Sequence, residues 1–158
     1  MFGEALAVPR QLLDLNSVKM EIIKMVDNDI LEIGTDINKD WSFNSEGDLN
    51  LVSGNDNIIQ TIQNRLNTDY DSIVFYDGYG SFLSKFYSWR RNPETLNYME
   101  KEIRNSILKD PRFTDITVEL EYTGKGTVNG YITIVYDDET ELTLSLVLDN
   151  MEATVEVE

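Results

Sequence analysis

The sequence contains no cysteine and no histidine. Without thiol or imidazole there is no disulfide, no thiolate nucleophile, no Ser-His-Asp triad, and no zinc, haem or copper site that needs either ligand. Positive charge is also scarce, with 13 Lys and Arg against 29 Asp and Glu and a formal charge of −16. Such a chain repels phosphate backbones and anionic lipid surfaces, so neither nucleic acid nor membrane is an expected partner. The opening Met1 to Val8 has no basic region and is broken by Pro9, unlike a signal peptide or a membrane span. Synthesis and folding in the cytoplasm is the expectation.

What is present suits one folded domain over residues 1–158. A hydrophobic content of 41% and an aromatic content of 10% suffice for a buried core. Acidic composition can accompany disorder, but regularly patterned Ile, Leu and Val argue for folding, with the charge solvating the outer face.

From Val18 to Ile37 two periods compete: Val18, Ile22 and Val26 fit a helix face, whereas Val18, Met20 and Ile22 fit strand alternation. Helix over Ser17–Val26 is preferred to a hairpin of Lys19–Val26 with Ile30–Gly34, and residues 1–33 form a candidate N-terminal arm. Trp41–Val52 reads as a short hairpin turned at Ser45–Asp48, where Gly47 can take positive φ. Asn55 or Asp56 can cap a helix over Asp56–Leu66, with Ile58, Ile59, Ile62 and Leu66 on one face. After a polar and aromatic loop, Phe82, Leu83, Phe86 and Trp89 suggest a second helical face packed on the first. Asn92-Pro93-Glu94 carries the cap, first-turn proline and early acid of a third helix, striped by Leu96, Met99, Ile103 and Ile107.

Pro111 stops that helix, and the period changes to two. Ile116, Val118, Leu120 and Tyr122 alternate with acids and threonine; Val128 to Tyr136 and Leu142 to Leu148 continue the pattern. The expected fold class is α+β: a three-helix half packed on one face of an antiparallel β-meander, with a short N-terminal hairpin. The tail Met151–Glu158 also alternates. Three fates stay open for it: a strand in its own sheet, a strand exchanged with another chain, or a frayed end.

Motifs for small-molecule chemistry fail on inspection. Asp36 to Asp40 opens like a calcium loop, but Trp41 and Gly47 stand where that loop needs Gly and Glu. Gly124-Lys125-Gly126 is better explained as a hairpin turn than as a phosphate loop, since no helix follows. Asp71, Asp77 and Glu94 lie near an aromatic loop, yet nothing in their spacing selects a catalytic pair. No catalytic residue, metal or cofactor is expected. Trp89-Arg90-Arg91-Asn92 reads either as an interface anchor or as a helix end whose arginines offset the dipole. Asp110-Pro111-Arg112 either locks a helix-to-strand junction or presents Arg112 to a partner carboxylate.

In order, Gly47-Asp48, Gly54-Asn-Asp-Asn-Ile-Ile-Gln60, Leu66-Asn-Thr68, Tyr79-Gly-Ser-Phe-Leu83 and Asp110-Pro-Arg112 resemble the gene 25-like baseplate wedge family of contractile phage tails, tail-like bacteriocins and type VI secretion machines. The resemblance covers about three quarters of the chain. It departs at Asp69-Tyr-Asp71, where the family often has Gly-Glu, and at Asp110, where the familiar turn begins with Glu. It implies a structural protein, not an enzyme, that is made in bacteria and assembled into a baseplate. Implied partners are other wedge proteins, the tail sheath protein and a tube-proximal hub protein.

The implied mechanism is strand addition to an unpaired sheet edge, initiating the sheath. The contact residues expected from it are Asp110, Pro111 and Arg112; Leu142, Leu144 and Leu146 on the third meander strand; Met151 and Val155 on the tail; and Trp89 with Arg90. Because the family has carried a lysozyme label, a carboxylate-dependent peptidoglycan hydrolase is the alternative. A soluble protein-binding adaptor is another, since a relative of the fold is an anti-adaptor.

Overall fold

The computed structural model describes residues 34–124, 126–136 and 140–158. The candidate arm, and the helix or hairpin expected between Ser17 and Gly34, fall outside them apart from Gly34. The fold is α+β. Strands β1 (Thr35–Ile37) and β2 (Leu51–Ser53) pair antiparallel, with Ile37 opposite Leu51. The chain between them narrows to a bridge of Phe43 with Leu49 and turns where Asn44 N donates to Asp48 O at 2.8 Å. Gly47 takes φ +89° in that turn, the left-handed region that only glycine enters without a steric penalty.

Helix α1 spans Gly54–Asn67, starting slightly earlier than its sequence signals suggest. Ser53 occupies the N-cap position, leaving Asn55 and Asp56 in the first turn. Ile58, Ile62 and Leu66 are buried as their spacing requires, but Asn57 and Gln60 are buried with them. The second helical segment is a six-residue 3-10 helix, Leu83–Ser88. Leu83, Phe86 and Trp89 recur every three residues, a period that stacks side chains in a 3-10 helix. This segment packs on helix α2 (Pro93–Ile107), where Trp89 lies edge-on to Tyr98 at 5.9 Å; the expected main contact was α1. Helix α2 starts as read, with the Asn92 side chain accepting from Thr95 N at 2.8 Å and Pro93 following.

The sheet contains β3 (Asp115–Tyr122), β4 (Thr127–Val135), β5 (Glu141–Asp149) and β6 (Glu152–Val157), antiparallel in that order. Alternation places Ile116, Ile132, Ile134, Leu144, Leu146 and Leu148 on one face, each at most 1% exposed. That face meets Ile58 and Ile62 of α1 and Met99, Ile103 and Ile107 of α2 in one core. Full burial of each such side chain contributes about 2 kcal/mol. Gly130 sits mid-strand for a steric reason: an added Cβ would lie 2.0 Å from Glu119 O on β3.

The tail is the fourth strand of its own sheet. Asp149 and Glu152 close a two-residue turn in which Asn150 and Met151 take φ +51° and +70°, the geometry of a type I′ hairpin. Beyond it, Ala153 and Val155 are buried opposite Leu148 and Leu146.

Candidate functional site

The Asp110-Pro-Arg112 turn is a joint between α2 and β3. Arg112 Nε and Nη2 donate to the two carboxylate oxygens of Asp110 at 2.9 and 2.6 Å, while Arg112 Nη1 donates to Asn57 Oδ1 at 3.0 Å. A planar guanidinium can grip both groups at once, which an ammonium cannot. The proline fixes the backbone so that an acid and an arginine two residues apart face each other. Asp110 is 8% exposed. Burial raises its pKa, but hydrogen bonds from the Arg112 side chain and backbone, together with the guanidinium charge, outweigh that effect and hold it below its ordinary value. The junction reading describes these contacts.

Both edges of the large sheet are gripped by side chains from the helices. On β3, Arg104 Nε donates to Ile116 O at 2.9 Å, and Leu120 N donates to Glu100 Oε1 at 3.0 Å. Arg104 also pairs with Asp115 at 2.7 Å. These bonds occupy two groups that an added strand would need, at Ile116 and Leu120. On β6, Asn67 forms a two-point clamp: its Nδ2 donates to Ala153 O at 2.9 Å, and Ala153 N donates to its Oδ1 at 2.7 Å. A side-chain amide has the same donor and acceptor pair as a peptide, so Asn67 substitutes for one residue of a neighbouring strand.

Antiparallel pairing leaves alternate residues bonding to opposite sides. Because Asn67 takes Ala153 from outside, Ser145 of β5 bonds toward β6, and Glu141 and Thr143 face the same side. The paired register ends at Leu144 with Val157. Among the described residues, no strand lies beside Glu141 and Leu142 on that flank. An unpaired corner results, bordered by Val157 at 49% exposure and by exposed Glu141.

This geometry corrects the expected strand contacts. Leu144 and Leu146 do not form an edge, because there β5 lies between β4 and β6 and they are 0% and 1% exposed; Leu142 lies at the end of β5 that β6 does not reach. Val155 is likewise a core residue, 3% exposed. Trp89 and Met151 do come together: both line a cavity of about 260 Å³ with Phe86, Arg91, Tyr122 and Asn150. Trp89 is 47% exposed, and Arg90 is exposed beside it. Arg91, also exposed, donates to Gly124 O and lies 5.0 Å from the Tyr122 ring centre.

Residues passed over in the sequence are the joints of the molecule. Gln60 Oε1 accepts from Lys39 N and its Nε2 donates to Ile37 O, both at 2.9 Å, fastening the small hairpin to α1. Ser81 Oγ donates to Leu66 O at 2.8 Å, and Phe82 N donates to Glu102 Oε1 at 2.9 Å. Asn57, Gln60, Asn67 and Ser81 all lie within the short motifs quoted above, which was the available signal. Their partners lie far along the chain, so their tasks were not legible.

Side chains hold the sheet edges from behind, while among the described residues a corner at Glu141 has no neighbouring strand and Trp89 is exposed. The chain belongs to the contractile injection system sheath initiators, whose family model matches residues 31–138. Its role is that of a sheath-initiator component of a contractile injection system. Among solved structures it is similar to a chain of the anti-feeding prophage baseplate determined by cryo-electron microscopy with six-fold symmetry. That similarity has 20% identity and a TM-score of 0.56, and covers 66% of this chain and 88% of the other. At this identity the likeness shows the fold. A search of curated proteins finds no match.

Proposed function

We propose that this chain is a structural wedge component of a contractile baseplate, on which the sheath begins to polymerise by adding a strand at the β5–β6 corner. The observation carrying this reading is the unequal treatment of the edges. Helix α2 bonds β3 at Ile116 and Leu120, whereas the β5 flank at Glu141 and Leu142 has no partner strand among the described residues. An incoming strand gains backbone hydrogen bonds at Glu141, beyond the end of β6, without displacing a side chain bound there. The sheath protein is the proposed donor. Trp89, Arg90 and Met151 offer a separate surface to a neighbouring wedge or tube-proximal hub protein, with an aromatic anchor beside a cation. The proposed role is structural, and two of the acids near the aromatic loop have local places in the fold: Asp71 accepts from Gly78 N within its own loop, and Glu94 lies in the first turn of α2.

Glu141 is the first residue of β5, a position where proline is tolerated. Glu141→Pro removes the N–H directed toward the corner while sparing bonds to β4; Glu141→Ala keeps it. Baseplates carrying Glu141→Pro are expected to contain the chain but to grow no sheath, whereas Glu141→Ala supports normal growth in electron micrographs. Normal sheath on Glu141→Pro baseplates would remove the corner from the mechanism.

A further inference from the structure

Between α1 and the 3-10 helix the chain projects a loop whose tip is apolar. Ile73, Val74, Phe75 and Tyr76 are 45%, 81%, 94% and 65% exposed. Scattered exposed hydrophobics are ordinary, but an uninterrupted run of four is unfavourable for a soluble chain unless another surface covers it. Polar residues at Val74 and Phe75 would cost the fold little, since those side chains are almost wholly in solvent.

The base of the loop is braced. Tyr70 N donates to Ser81 O at 2.9 Å, Asp71 N to Tyr79 O at 3.0 Å, and Gly78 N to Asp71 Oδ1 at 2.6 Å. Lys109 Nζ reaches across from the end of α2 to Gly78 O at 3.1 Å. Gly80, at φ +97°, lets the returning chain pass so close that a Cβ would lie 2.6 Å from Thr68 O. Nearer the tip, Tyr76 N donates to Ile73 O at 3.1 Å and the Tyr76 ring meets Tyr79 edge-on at 5.7 Å. An apolar tip held in shape in advance loses less conformational entropy on docking than a slack one.

Charge selects the occupant. The residues flanking the tip in sequence are acidic, Asp71 and Asp77, and the cations near the loop lie at its base, Lys109 on Gly78 O and over the Tyr70 ring, Arg65 over the Tyr79 ring and Lys85 over the Phe82 ring. Loops that insert into membranes combine apolar tips with basic flanks, which interact with anionic headgroups. We infer that the Ile73–Tyr76 tip is a plug for another baseplate protein, seating in an apolar pocket rimmed by lysine or arginine. This rests on the baseplate reading above. The plug fixes the chain in the baseplate, and the β5–β6 corner then acts outward from it.

The test compares Phe75→Asp, Phe75→Leu and wild type in cells producing the particle, with each full chain also purified. All three are expected to melt within about 2 °C of one another, as surface substitutions do. Phe75→Asp is expected to enter isolated baseplates at least tenfold less than wild type, and Phe75→Leu at the wild-type level. A photo-crosslinking phenylalanine analogue at position 75 is expected to capture an apolar segment flanked by Lys or Arg in another baseplate protein. Wild-type incorporation of Phe75→Asp overturns the inference, as does crosslinking to a second copy of this chain. Phe75-dependent binding of the purified chain to phosphatidylcholine or phosphatidylglycerol vesicles overturns it in favour of a membrane contact. If wild type itself is absent from baseplates, the baseplate reading falls and takes the plug with it; if wild type is present and Phe75→Asp enters equally, only the plug falls.

Discussion

The bonds described for Arg112 run to Asp110 and Asn57, so its replacement acts first on stability. Arg112→Ala leaves a largely buried carboxylate without its fork and is expected to cost about 2 kcal/mol in chemical denaturation. Arg112→Lys should recover only part of that loss. The acid limb separates this interaction from simple packing. Because the folded pKa of Asp110 lies below its ordinary value, its contribution is complete above the ordinary carboxylate range and disappears as pH falls through the depressed value. Wild type should therefore lose more stability than Arg112→Ala on acidification, measured by denaturation at successive pH values. A helix-to-strand junction at Asp110-Pro-Arg112 was one of two readings open in the sequence, and the i, i+2 fork was not itself read. The Asn57 contact was not legible, because it joins residues 55 positions apart.

Among the elements, β6 shows how a terminal segment becomes part of a sheet. Its alternation was visible, yet alternation suits pairing with any edge. Its attachment here comes from the β5–β6 turn, burial of Ala153, and the Asn67 clamp. Asn67→Ala removes two hydrogen bonds and exposes the Ala153 backbone to competition. It should cost about 2 kcal/mol by denaturation, with faster hydrogen exchange at the Ala153 amide than at Ile132. The 3-10 helix illustrates a different ambiguity. The spacing of Phe82, Leu83, Phe86 and Trp89 satisfies an α-helical face, but six residues followed by an extended Trp89 form only two tight turns.

For the molecule as a whole, the net charge of −16 adds self-repulsion to the compact state. Residues 113–158 contribute a single basic residue, Lys125, so the strands of the sheet carry a large excess of acids, of which Asp115 is paired with Arg104 of α2. Screening should relieve that repulsion. The melting temperature is expected to rise by about 3 °C between roughly 0.02 and 0.3 M NaCl, followed by circular dichroism; a fall would show that attractive ion pairs dominate. The sequence by itself determined the α+β class, the helical stripes, the period-two strands and the exclusion of thiol and imidazole chemistry, since all depend on residue types and near neighbours. Only the tertiary structure decided that β5 is internal, that β6 belongs to its own sheet, that Asn57 and Asn67 are joints, and that four apolar loop residues stay uncovered. Those properties depend on strand register and on groups brought together from distant positions, which periodicity along the chain does not encode.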